Sequence, residues 1–395
     1  MNPGARYLLV LLAVAGSALG LILALNLLLG ARALGGPEAT RLASEWQQQT
    51  RGVTYAPPIT AVRRFKALRL ADRLPGINAV AFGSSTSWGI TADALPGGYG
   101  FYNFAVTGNP LASIIGEMEY LLQHAAGLQL MVVPLEWAIG SLYDQSPPPV
   151  MNLSPSAVLA DAEQSAVSMH RKVQDALSYP KVVNLLKALR SVFRSAEPLA
   201  DARSLFFGLS GEPYRCADGT LARDFDVVNR GQCSGFRDDG SWSFGGEKRL
   251  TAAQAAALSR AAAAPSSKFS RALCATGGEP NLEYLRRLAA AARDLNRSGG
   301  KMLLVLPPLV PGLEQAMTAD PGNRDCLART KQALQTWARQ INITIIDAGR
   351  AERFGCKAEE FLDEHHAYPE CYRRVMDFHF RAQREGRVPS GLLQP

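Results

Sequence analysis

Five short, almost uninterrupted apolar runs alternate with stretches of helical periodicity, and this alternation limits the fold more than any other feature. The runs lie at 79–82, 101–106, 128–133, 302–306 and 341–346. Each is too short for a typical helix and apolar on both faces, the pattern of a strand buried in a parallel sheet. Gly83, Pro134, Pro307-Pro308 and Asp347 punctuate their ends. Between them, apolar residues at 111, 114, 115, 118, 121 and 122 follow helical spacing, and further helices are expected over 251–264, 281–296 and 325–340. The fold class expected is α/β: a three-layer α/β/α arrangement on a mostly parallel five-stranded, flavodoxin-like sheet. Residues 143–250 interrupt the alternation with Pro147-Pro148-Pro149, one helical segment near 181–195 and a Gly/Asp-rich region over 208–246. That is far longer than an ordinary connection, so it reads as an insertion or lid.

Residues 7–31 contain no charge, and Asn26 is their most polar member. At ~1.5 Å per residue such a helix spans roughly 37 Å, enough for a ~30 Å hydrocarbon core with some tilt. A cleaved secretory signal has a shorter apolar core, ~7–15 residues, although Ala31-Arg32-Ala33 loosely resembles a cleavage site. Length favours an anchor. The expected organisation is therefore an anchor or uncleaved signal (1–31), a membrane-proximal stalk (32–76, with Ala56-Pro57-Pro58), a first half-domain (77–142), the insertion (143–250) and a second half-domain (251–395). No second long apolar run follows, so everything after the anchor lies on one side of the membrane.

Six cysteines after an export-type segment suit an oxidising compartment. Cys356 and Cys371 bracket an Asp/His motif, and Cys216 and Cys233 bracket a Gly/Asp-rich loop; both pairs would close local bridges, although six cysteines permit fifteen pairings. The expected location is the cytoplasmic membrane, single-pass, with the N-terminus inside and the globular part in the periplasm or outside the cell. Lys and Arg number 42 against 35 Asp and Glu, a formal charge of +7 without a basic block. Basic runs interleaved with aromatics are missing, so nucleic acid is not an expected partner. Cysteine and histidine spacings suggest no zinc site; Asp363, His365 and His366 could together ligate a metal, but no distant ligand cluster supports them, so neither metal nor cofactor is expected.

In open parallel sheets, ligands bind at the carboxyl ends of the strands. Gly83-Ser84-Ser85-Thr86 follows the first run, Gly108-Asn109 the second, Pro134-Leu135-Glu136-Trp137 the third, and Asp363-Glu364-His365-His366 lies near the last helix. Ser85 alone would read as a helix cap. Paired with an Asp-x-x-His about 280 residues later, it supplies the parts of a nucleophilic triad: a hydroxyl, an imidazole base and an acid that orients the base. Ser85 is the expected nucleophile, His366 the base and Asp363 its orienting acid. His365 would take the base role if the register slipped by one. Trp88, Glu136 and Trp137 are candidate substrate contacts, set against ordinary packing. His124, His170 and His379 read as surface or core residues.

These blocks resemble the SGNH (GDSL-like) hydrolase superfamily. Gly83-Ser84-Ser85 resembles its first block, with serine where aspartate is usual, and Tyr102–Gly108 resembles the second. Asp363–His366 resembles the last. The resemblance implies an oxyanion hole from the Ser85 and Gly108 amides. Its Gly-x-Asn block is replaced by the Val133–Trp137 stretch, leaving Asn109 as a stand-in donor. Within the superfamily, an anchor plus an exported domain is similar to the accessory proteins of envelope O-acetylation and D-alanylation. It implies an acyl esterase or O-acyltransferase acting on an envelope glycan or other polymer, beside a membrane-bound O-acyltransferase that supplies the acyl group. The rivals are a catalytically inactive scaffold subunit, favoured by the replaced block, and a phosphate binder using 83–87 as an anion cradle.

Overall fold

The computed structural model describes residues 3–30, 37–54, 62–138, 140–159, 173, 177, 179–195, 197–207, 211–225, 231–264, 267–274, 277–387 and 391–395. The Ala31-Arg32-Ala33 and Ala56-Pro57-Pro58 tripeptides and His170 lie outside them. The chain is mixed α/β and divides into two compact units, residues 1–69 with 154–238, and residues 70–153 with 239–395.

The first unit opens with the helix Pro3–Gly30, whose segment Gly4–Leu27 is long and apolar enough to cross a membrane. Its exposure is continuous up to its last turns, where Ile22 and Leu25 pack against Leu185, Ala188 and Val192 of the helix Tyr179–Arg194. The stretch read as a stalk contributes the helix Pro37–Thr50 and the strand Val53–Thr54. That strand pairs parallel with Leu221–Arg223 and antiparallel with Ser234–Phe236, two strands from the inserted segment. Gln47 Nε2 donates to the Gly52 and Phe236 carbonyls at 3.0 and 2.8 Å. The buried Arg69 guanidinium meets Asp238 at 3.0 Å, so its charge is paired where it has left water. Cys216 and Cys233 are joined by a disulfide in this unit, as the bracketing predicted.

The second unit is built on a wholly parallel sheet. Its strands are β1 (Ala79–Ala81), β2 (Phe101–Asn103), β3 (Leu130–Pro134), β4 (Lys301–Leu306), β5 (Thr344–Asp347) and β6 (Gly391–Leu393), in the spatial order β2-β1-β3-β4-β5-β6. The five expected strands are all present, and the sheet has one more. β6, in the last five residues of the chain, pairs parallel with β5 from Thr344↔Gly391 to Ile346↔Leu393. Three residues are too few to show a period, so this strand left no signal in the sequence. The residues of β1 to β3 are buried throughout, and only Lys301 of β4 is exposed, which accounts for the unbroken apolar runs.

Helices connect these strands, with caps that fix where they begin. Asn281 Oδ1 accepts from the Glu283 and Tyr284 amides, starting the helix Leu282–Arg297. Its apolar face, Tyr284, Leu285, Leu288, Ala292 and Leu295, is buried. Asp320 caps Pro321–Gln340, with Pro321 in the first turn, where its missing N–H costs nothing. Pro369 opens the C-terminal helix Pro369–Arg384 in the same way.

Candidate active site

The sheet order reverses between β1 and β3, so the loops leaving these two strands diverge and open a crevice at their carboxyl ends. Gly83 makes the first loop possible. Its φ is +137°, and a Cβ there would lie 2.3 Å from Ser87 Oγ and 2.7 Å from Pro134 Cγ, so only glycine fits. Ser84 then caps the short 3-10 turn Ser85–Ser87, its Oγ accepting from the Thr86 amide at 3.3 Å.

The partner loop is an antiparallel link. Phe361 bridges Ala367, and the Leu362 amide donates to the His366 carbonyl at 2.9 Å. A disulfide between Cys356 and Cys371 closes the chain around it, as the bracketing predicted. Asp363 Oδ1 accepts from the His365 and His366 amides, both at 3.0 Å, which holds the carboxylate in place. Its Oδ2 lies 2.7 Å from His366 Nδ1, and His366 Nε2 lies 2.8 Å from Ser85 Oγ. Since a carboxylate can only accept, Nδ1 carries the ring proton and Nε2 accepts from the Ser85 hydroxyl. The His366 and Asp363 side chains remain 18 % and 33 % exposed, so the relay is open to a ligand.

Burial pushes the Asp363 carboxyl up, but the His366 hydrogen bond, the charges on His366 and His365 and the His365 amide outweigh it. The net result is a carboxyl held far below its usual range. His365 Nδ1 sits 3.5 Å from Asp363 Oδ1, and its ring meets Phe269 edge-on. It is His366, not His365, that faces Ser85. The side chains of Asp363, His365 and His366 offer three ligand atoms within 4.8 Å of one another, the described group beside Ser85 that could hold a metal ion. Both nitrogens of His366 are, however, already engaged by Asp363 and Ser85.

Among the described residues, the Ser85 and Gly108 amides have no hydrogen-bond acceptor. Gly108 is exposed in a turn with φ +64°. Asn109, expected as a stand-in oxyanion donor, is committed elsewhere. It is buried, and its Nδ2 donates to Glu117 Oε2 at 2.9 Å and to the Gly83 carbonyl at 3.4 Å. With both amide hydrogens occupied it braces the turn.

The three expected substrate contacts fare differently. Trp88 is half-buried and stacks on Trp242, with ring centroids 4.4 Å apart. Trp137 has no exposure at all and belongs to the core; a Cβ on Gly349 would stand 3.2 Å from its indole. Glu136 is likewise buried and reaches the Gly83–Ser87 loop. Its Oε1 accepts from the Ser84 amide at 3.1 Å and from Thr86 Oγ1 at 2.6 Å, while Oε2 is buried without a partner. Burial raises its pKa against the hydrogen bonds from Ser84 and Thr86 and the charge of His366.

Two further residues hold the same loop. Asn103, at the end of β2, donates through Nδ2 to the Ser87 and Ile90 carbonyls, both at 2.8 Å. Tyr372, from the C-terminal helix, donates its hydroxyl to the Thr86 carbonyl at 2.7 Å. An asparagine closing a buried strand was a usable signal for the first; nothing local pointed to the second.

No family model, curated protein or solved structure matches the chain. The chemistry therefore rests on the residues themselves.

Proposed function

We propose that this chain is a membrane-anchored, extracytoplasmic acyl esterase or O-acyltransferase of SGNH-like type, on a three-layer α/β/α domain. The observation that carries the reading is the continuous relay Asp363–His366–Ser85, with both bonds under 3 Å, at the crevice where the sheet order reverses. A hydroxyl is a weak nucleophile until a base takes its proton, and the base works only in the tautomer its acid partner fixes.

The Ser85 Oγ attacks an ester carbonyl while His366 Nε2 takes its proton. The negative charge that develops on the carbonyl oxygen meets the Ser85 and Gly108 amides. His366 then returns the proton to the departing alkoxide, leaving an acyl group on Ser85. Water or a glycan hydroxyl, deprotonated by His366, resolves that ester and frees the serine. Anchoring beside a membrane acyl donor favours the glycan hydroxyl, and so transfer onto an envelope polymer.

Ser85→Ala is the direct test. Turnover of p-nitrophenyl acetate should fall about ten-thousand-fold or more, with the thermal midpoint unchanged, and a fluorophosphonate should label the unsubstituted protein at Ser85 alone. Equal turnover by the variant would overturn the assignment. A second reading is supported by one observation: a buried carboxyl, Glu136, stands where a side-chain amide donor would be expected. A scaffold subunit with this loop would fold normally and take no label.

A further inference from the structure

The helix Tyr179–Arg194 and the start of the helix Pro198–Phe207 carry an exposed face that the acyl chemistry does not use. Phe193 and Leu199 are 81 % and 83 % exposed, and Leu186 is 56 % exposed. Leu186 and Phe193 stand seven residues apart, on one side of the helix. Lys187, Arg190 and Arg194 are exposed around them, and the helix contains no acidic residue. Another side of the same helix, Leu185, Ala188 and Val192, is buried, with Ile22 and Leu25 packed against it.

That contact fixes the depth of the helix. A hydrocarbon core of ~30 Å takes about 20 helical residues. Counted from Gly4, where the apolar span begins, it ends close to Ile22 and Leu25. Whatever packs on those two side chains lies at the membrane boundary. The apolar span itself closes at Leu27, two residues beyond Leu25. An exposed apolar ridge flanked by cations is the composition that suits this depth: rings and aliphatic chains enter the acyl boundary, while long basic side chains reach the phosphates.

We propose that Tyr179–Arg194, with Leu199 beside it, is an interfacial helix seated on anionic lipid headgroups next to the membrane-spanning helix. Leu186, Phe193 and Leu199 enter the acyl boundary. Lys187, Arg190 and Arg194 meet lipid phosphates. The apolar helix is thereby held at a fixed rotation against a second, surface-lying helix, so the anchor is a two-helix foot and not a swivelling tether. This inference stands whether or not Ser85 is a nucleophile.

The test uses the full chain carrying Phe193→Trp, in vesicles of phosphatidylcholine and phosphatidylglycerol, with the unsubstituted chain as the fluorescence baseline. The emission added by the introduced indole should be quenched on the order of two-fold by lipids brominated near the headgroup end of the acyl chain. Quenching should be weaker with bromines deeper in the chain. It should also fall when phosphatidylglycerol is omitted, when salt is raised, or when Lys187, Arg190 and Arg194 are changed to Gln. Phe193 is exposed, so the substitution leaves the fold intact, which an unchanged thermal midpoint verifies.

An unquenched indole in carbonate-resistant, membrane-inserted protein overturns the proposal. So does quenching indifferent to anionic lipid and salt. Shielding of the indole from aqueous iodide without lipid quenching would assign the face to a protein partner instead. Complete extraction of the chain by alkaline carbonate would remove the anchor, and the proposal with it, without touching the Ser85 result.

Discussion

At the scale of single residues, the site turns on two carboxyl groups with opposite environments. Asp363 is held far below the ordinary carboxyl range, so its ionised form stabilises the fold. That contribution is complete at neutral pH and is lost as pH falls through about 4 and below. The stability gap between the native chain and Asp363→Asn should therefore be widest near neutrality and close in acid, as followed by thermal melts. In the same variant an amide N–H faces His366 Nδ1, the ring is pushed to the wrong tautomer, and turnover should drop about ten-thousand-fold. Glu136 is the reverse case. Its pKa is raised by burial, so its ionised form costs stability, and the cost grows as pH rises from the usual carboxyl range towards the raised value. Glu136→Gln keeps an oxygen for Ser84 and Thr86 and removes that charge. Its melting temperature relative to the native chain should climb between pH 4 and pH 7; a difference that shrinks with pH would contradict the assignment. For Trp137, at the carboxyl edge of the sheet, the sequence left substrate contact and packing open; it is packing, since the side chain points into the core where Gly349 leaves room for its indole.

Among elements, the Gly83–Ser87 loop is held by three separate pieces of chain. Glu136 comes from the loop after β3, Asn103 from β2, Tyr372 from the C-terminal helix, and Gly83 supplies the bend itself. The opposing Asp/His loop is closed by Cys356–Cys371, 15 residues apart. Breaking that disulfide, as Cys356→Ser with Cys371→Ser, returns entropy to the unfolded chain and should cost about 3 kcal/mol in denaturant unfolding. The loop that presents His366 would also loosen, so turnover should fall more steeply than stability at a temperature where both proteins are folded. Removing Cys216–Cys233 from the other unit should cost comparable stability and leave turnover unchanged. Strand and helix positions were legible because each carries its own period. Of the braces, only Asn103 left a local trace, as a polar residue closing a buried strand, whereas Tyr372 announces nothing about a carbonyl 286 residues away.

Over the whole molecule, one membrane-length apolar helix among the described residues and disulfides in both units agree with a chain that carries an anchor or signal sequence and an extracytoplasmic domain. The full chain should resist alkaline carbonate, migrate differently on reducing and non-reducing gels, and lose its globular part to protease added outside spheroplasts. Protection from that protease would reverse the proposed orientation. The division into units follows contacts and not chain order: residues 1–69 fold with 154–238, so the polar stretch after the apolar helix shares a unit with a segment that lies far along the chain.

Read alone, the chain showed its repeating strands and helices, one long apolar segment, two local cysteine pairings among the fifteen open to it, and Ser85, Asp363 and His366 as residues to bring together. All of these are written in local period, length or spacing, which act before any distant contact forms. Only the tertiary structure decided that Ser85 and His366 stand 2.8 Å apart, that Asn109 and Trp137 are occupied in the interior, and that a sixth strand completes the sheet. Those outcomes depend on which remote surfaces exclude water together, and no single stretch of chain carries that information.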